Sequence, residues 1–196
     1  MDATEERASI RRPLRADARQ NRERLVQVAA QAFHDEGPEI CLEEIARRAG
    51  VGVGTLYRHF PNRQALLEAV YRDRIDALLV EAGALATAPS PGEAVETWMR
   101  LILDYTLKQR GLKETLLSGG PSPFLMECRG RVRESGDAVI RRAQEAGEVR
   151  ADVRSADLLH LIHGIVQVTP QTPEGLEQAY RLLSIMMAGV KAQAQQ

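Results

Sequence analysis

Cysteine, aromatic residues and net charge are all scarce in this chain. Two cysteines, Cys41 and Cys128, lie too far apart for a disulfide framework or a zinc ribbon. Phe, Tyr and Trp together make up 4% of the residues, against 44% for all hydrophobic types. A core must therefore be built mainly from Leu, Ala, Val and Ile. The formal net charge is -1, so the chain as a whole is not a polycation. Any surface for nucleic acid has to come from local charge. No apolar run is long enough to cross a bilayer, and no signal-like segment opens the sequence. The protein is expected in the cytoplasm, reduced, with no membrane partner. There is no alternating strand pattern, internal repeat or low-complexity tract. Neither GxSxG, P-loop, dinucleotide fingerprint nor HExxH occurs, and no carboxylates pair in a catalytic frame. No catalytic residue and no cofactor is expected, and an enzyme is the weaker class.

What is present is concentrated in residues 42 to 63, LEEIARRAGVGVGTLYRHFPNR. Leu42, Ile45, Ala46 and Ala49 recur at helical spacing and predict one short helix with a buried face. Gly50 ends it, because glycine enters left-handed backbone without steric cost. Val51 packs under the corner. A second helix opens near Gly52–Gly54 and runs to Phe60, with Val53, Leu56 and Phe60 expected in the core. Gly54, Thr55, Tyr57 and Arg58 remain on the outer side, with His59 at its border. That side carries no acid and no large aliphatic residue. An exposed helix with donors at one-turn spacing, angled by a second helix, suits a major groove.

The string TLYRHFPNRQALLEAV, preceded by LEEIARRAGV, resembles the DNA-binding domain of the tetracycline-repressor (TetR/AcrR) family of bacterial transcription regulators. The resemblance covers roughly residues 16 to 75. The run WMRLILDYTLKQRGLKETLL at 98 to 117 looks like the SbtR-like ligand-domain subgroup. The resemblance implies an all-α fold: an N-terminal three-helix helix-turn-helix domain joined by a long helix to a helical ligand-binding and dimerisation domain. It implies phosphate contacts from Tyr57, His59 and Arg63. Arg58 is the best base reader, since a guanidinium fits the O6 and N7 acceptors of guanine. Thr55 suits a phosphate or a thymine methyl. Many relatives carry Ser or Thr near Gly52, whereas Gly52-Val53-Gly54 offers no side-chain cap. Gly54 brings backbone close to the bases without a side chain to read them.

Residues 1 to 14 are expected to be a flexible basic arm, followed by a DNA-binding domain at 15–61 and a ligand and dimer domain at 62–196. Between residues 7 and 24, Arg7, Arg11, Arg12, Arg15, Arg19, Arg22 and Arg24 face only Asp17 and Glu23. Arg12 and Arg15 are the expected arm contacts to DNA, the alternative being a solvated tail. Helix one is expected over Ala16–His34, stopped by Asp35-Glu36-Gly37-Pro38. A long helix follows from about Asn62 to Thr87, ended by Pro89-Ser90-Pro91-Gly92. Further helices are expected over 93–109, a short run through Leu112 and Leu116, then 124–146, 155–168 and 174–190. Gly111 is expected to break the chain.

Trp98, Ile102 and Tyr105, with Phe124, Met126 and His163, are the candidate lining of a mostly apolar ligand pocket, the alternative being plain core. Leu158, Leu161, Ile162, Ile165, Leu183 and Met187 are the candidate dimer interface, because apolar residues there cover more than one helix face. Asp157, His160 and His163 recur every three residues, but these steps turn around a helix, so no metal site is expected. The expected function is a ligand-responsive repressor. Its partners would be palindromic double-stranded operator DNA, a second copy of itself and an unidentified small-molecule effector. The competing readings are an architectural DNA-binding protein without effector and, less favoured, an enzyme on a helical scaffold.

Overall fold

In the computed structural model the described residues are 3–118, 120 and 122–192, with side chains described from residue 17 onward. Among them the chain forms nine helices: α1 Ala3–Asp35, α2 Leu42–Arg48, α3 Val53–His59, α4 Arg63–Leu85, α5 Pro91–Lys108, α6 Arg110–Leu117, α7 Pro123–Glu145, α8 Ser155–Val168 and α9 Pro173–Val190. The only β-type pairing among them is a single antiparallel bridge between Val149 and Lys191.

The punctuation of the chain sets these limits. Pro91, Pro123 and Pro173 each open a helix, where a missing N–H and a fixed φ cost nothing. These starts lie one or two residues before the expected ones, because a proline that cannot continue a preceding helix is well suited to open the next. Three side chains satisfy open N-terminal amides: Asn62 accepts from Ala65 N–H at 2.8 Å, Ser122 from Leu125 at 3.3 Å and Thr172 from Gly175 at 3.1 Å. After α2, Gly50 adopts φ +66°. Its N–H donates to Arg47 C=O, and Val51 N–H donates to Ala46 C=O at 3.0 Å. This pair of bonds is a Schellman closure, and it directs the chain sharply into α3.

Two expectations about boundaries differ. Helix α1 begins at Ala3, not Ala16, so the backbone of the expected arm is helical. Gly111 does not break the chain; the break falls at Gln109, and Gly111 lies inside α6. Glycine lowers helix propensity by only about 1 kcal/mol, which the burial of Leu112 and Leu116 offsets.

The chain packs as two compact units, one of residues 1–73 with 111–120 and one of 74–110 with 121–196. By packing, the division falls inside α4 rather than at residue 61. In the first unit Leu25, Val26, Ala29 and Phe33 of α1, Ile45 and Ala46 of α2, Leu56 of α3, Phe60, and Leu66, Leu67 and Val70 of α4 are buried. In the second, α5, α7, α8 and α9 surround Trp98, Met99, Leu103, Val139, Leu158 and Ile162.

Candidate nucleic-acid interface

Helix α3 has seven residues, and its placement follows from the corner before it. Gly52 is its N-cap; with no side-chain cap, its carbonyl accepts from Thr55 at 2.8 Å and Leu56 at 3.2 Å. Leu56 and Phe60 anchor the inner side, and the Arg22 guanidinium stacks over the Phe60 ring at 5.4 Å. Val53 departs from expectation: it is 40% exposed, because it stands at the first position of a short helix where the corner leaves it uncovered.

The outer side of α3 presents Gly54, Tyr57 and Arg58 to solvent, with Thr55 and His59 half-buried. A Cβ built on Gly54 would meet nothing within 4 Å. Glycine at 54 is therefore not required by packing inside the protein. It leaves the first turn open to something outside. Arg58 rests with its Nε donating to Gly54 C=O at 3.2 Å, a contact within one helical turn that is easily exchanged. Arg58 and His59 are basic and the first turn holds no acid. Such a surface suits a polyanion.

Tyr57 and Arg63 are engaged in ways sequence reasoning missed. The Tyr57 hydroxyl donates to Glu43 Oε1 at 3.0 Å, across the corner from α2. The same carboxylate accepts the Cys41 thiol at Oε2, at 2.6 Å. These donors, the Cys41 thiol foremost, hold the Glu43 carboxyl below the usual range, and Glu43 in turn pushes the Tyr57 phenol up. Arg63 is half-buried. Its Nη1 donates to Pro38 C=O at 2.6 Å and Ile40 C=O at 2.7 Å, stapling the start of α4 to the loop before α2. The expected phosphate contact from Arg63 thus meets a guanidinium already holding its own loop. No local pattern in sequence marks either bond, since the partners stand 14 and 25 residues apart.

Beside this surface, Glu44 accepts from Arg47 and Arg48, and Arg48 also reaches Glu36. The Arg47 hydrogen bond, then that of Arg48, lowers the Glu44 carboxyl to about 2. Arg12 and Arg15 fall within α1, but their side chains lie outside the described residues.

The expected pocket residues differ in burial. Trp98 and Ile102 are buried core. The Trp98 ring packs on Gly136, and its Nε1 donates toward Ser135 Oγ at 3.4 Å. Met126 is corrected to surface at 70% exposure, because Leu125 and Cys128 take the inward positions of α7. Tyr105, Phe124 and His163 are half-buried. The expected dimer set divides by exposure in the single chain. Leu158, Ile162, Ile165, Leu183 and Met187 are buried within their own chain, where α8 and α9 pack against α5 and each other. Of that set Leu161 alone is exposed, at 52%. The large apolar residues that α8 and α9 do leave outside are Leu161, Val168, Leu176 and Ile185. Among the described residues, no three metal-capable side chains converge and no helix is long and apolar enough to cross a membrane.

Two family descriptions match the chain. Residues 25–70 match the bacterial regulatory proteins of the tetR family, and residues 90–192 match the C-terminal domain of SbtR-like transcriptional regulators. These families are transcriptional regulators, not enzymes. A TetR transcriptional regulator from Streptomyces coelicolor is similar at 35% identity and a TM-score of 0.71, over 88% of this chain and 99% of its own. A TetR transcription regulatory protein from Mycobacterium vanbaalenii is similar at 35% identity and a TM-score of 0.70, over 92% and 100%. An HTH-type transcriptional regulator of Staphylococcus aureus strain USA300 is 29% identical over 108 residues, which span 54% of this chain and 58% of that relative.

Proposed function

The chain belongs to the tetR family of bacterial regulatory proteins, and we propose that it is a sequence-specific, homodimeric DNA-binding regulator whose operator affinity falls when a small hydrophobic or amphipathic molecule binds its C-terminal region. The observation that carries the DNA reading is the outer side of α3. It exposes a guanidinium and a phenol, together with a glycine whose Cβ position is open space. Arg58 is the base reader, while Thr55, Tyr57 and His59 set register on phosphates. Arg12 and Arg15 add charge from α1. Two copies pair through the apolar residues that α8 and α9 leave outside, presenting two α3 helices to an inverted repeat.

Release by a ligand uses α4, a long helix with several turns in each compact unit. A molecule seated near Tyr105, Phe124 and His163 shifts α4 and with it the spacing of the two α3 helices. Half-sites sit about 34 Å apart in DNA, so a change of spacing loses contacts. The coupling equals the ligand's preference for the released state, typically about 1–3 kcal/mol, and it is reciprocal. The enclosure of Trp98 and Ile102 favours a second reading, a DNA-binding protein with a solid C-terminal core and no effector.

Selection of bound duplexes from a random pool tests the first step. Enrichment of an inverted repeat is expected; retention of duplexes with no common sequence would overturn sequence-specific regulation. Once an effector is found, its titration with and without the selected duplex separates the two readings, because equal affinity in both leaves no coupling.

A further inference from the structure

Glu36, Glu43 and Glu44 are not equivalent in their partners. Glu36 and Glu44 pair with Arg48, and Glu44 also with Arg47. Glu43 takes only neutral donors from side chains: Cys41 at Oε2 and Tyr57 at Oε1. Glu43 and Tyr57 are both exposed. Glu43 therefore sets a carboxylate held by neutral side-chain donors, with Arg63 acting on it only through space, against a recognition-helix hydroxyl.

A phenol has one proton to donate. While Tyr57 donates it to Glu43, it has none for a phosphate oxygen, and its own lone pairs would face that anion. Contact with DNA requires the hydroxyl to turn away. Carboxylate and phosphate are equivalent acceptors for this purpose, each an anionic oxygen.

We propose that Glu43 is an internal competitor for DNA phosphate: its carboxylate holds the Tyr57 hydroxyl in the free protein, and binding exchanges it for a phosphate oxygen. This rests on the reading of Tyr57 as a phosphate contact. The resting grip weakens binding to every sequence alike, because phosphates carry no base identity. Glu43 thus lowers non-specific affinity while leaving the preference set by Arg58 intact.

The test is a double-mutant cycle on a mixed-sequence duplex of defined length, with circular dichroism confirming fold. Wild type, Glu43→Ala, Tyr57→Phe and the double variant are compared at one salt concentration, and Glu43→Gln, which keeps an acceptor without the charge, is added. Glu43→Ala is expected to tighten binding about three- to tenfold with Tyr57 present, an amount typical of one exchanged hydrogen bond. In the Tyr57→Phe background the gain should fall to the smaller effect of removing a charge, and Glu43→Gln should lie between. Equal gains in both backgrounds would reduce Glu43 to through-space repulsion and overturn the exchange. Weaker binding by Glu43→Ala would overturn it too, making Glu43 a support for DNA contact. If Tyr57→Phe leaves binding unchanged in the Glu43→Ala background, where no resting bond to Glu43 offsets the contact, the phosphate role of Tyr57 fails first, and the exchange fails with it.

Discussion

The Trp98 ring occupies the space that a side chain at residue 136 would need. A Cβ on Gly136 would lie 2.4 Å from Trp98 Cζ2 and 2.5 Å from Cη2, and 3.1 Å from Ser155 Cβ. Helix α7 and helix α5 meet over this pair, with Trp98 fully buried. The glycine is thus a packing device that admits the single tryptophan of the chain.

Gly136→Ala is expected to destabilise the protein by about 1–3 kcal/mol, the usual cost of overpacking, even though alanine is the better helix former. Gly130 lies in the same helix with open space at its Cβ position. Gly130→Ala should instead gain about 0.5–1 kcal/mol. Denaturant unfolding followed by Trp98 fluorescence reads both, and opposite signs are the expected result.

Arg63→Ala should lower stability by about 1–3 kcal/mol, since its guanidinium holds the Pro38 and Ile40 carbonyls. Arg63→Lys should restore only part of it, because an ammonium lacks the planar fork. Thermal unfolding without DNA checks this. Unchanged stability in Arg63→Ala, with weaker DNA binding, would return Arg63 to a phosphate role.

Arg58→Ala should cost about 1–3 kcal/mol on the selected sequence and relax preference at one base pair per half-site. Its resting bond to Gly54 C=O is local and exposed, so stability should not change. Binding curves on the selected duplex and on single-base variants give the comparison; equal discrimination by wild type and variant would move base reading elsewhere.

The two faces of the last helices predict different failures. Ile185→Glu and Leu161→Glu add charge at positions 70% and 52% exposed, so the chain should fold but sediment as a monomer. Leu183→Glu buries a charge within the chain and should unfold it. Sedimentation with circular dichroism distinguishes these outcomes, and a full dimer in both exposed variants would place the interface elsewhere.

Acid should weaken the N-terminal unit in a defined window. The Glu44 carboxyl is lowered from 4.5 to about 2 by Arg47 and Arg48. A depressed folded-state value means that the contribution is complete above 4.5 and is lost as pH falls toward about 2. Glu44→Gln should lower stability at neutral pH, where the contribution is complete, and flatten the loss between 4.5 and about 2, which unfolding midpoints across the range would reveal.

Much of the secondary structure was legible because the helices are punctuated by residues with fixed local meanings. Gly50 and Gly147 close helices in left-handed backbone, and proline opens three of them. Most of the motif side of α3 was legible too: Leu56 and Phe60 turn inward and Gly54, Tyr57 and Arg58 outward as their spacing requires, while Val53, expected inward, is exposed. The start of α1 was less so: basic composition suggests a flexible arm where the backbone is helical. The second unit resisted reading because its helices are apolar on several sides. Leu158, Ile162, Leu183 and Met187 looked alike with Leu161 and Ile185, and hydrophobicity alone does not say which neighbour covers which side.

The sequence by itself determined which stretches are helical, which family they build and which polar residues face away from the α3 core. These depend on backbone preference and on spacing within a few residues, so they are written locally. Only the tertiary structure decided that Trp98 fills the gap left by Gly136, that Arg63 staples the loop at Pro38, and that Glu43 holds Tyr57. Each of those joins residues 14 to 38 positions apart. The choice of partner there rests on which side chains the packed helices bring within reach, a property of the whole unit that no short window of sequence carries.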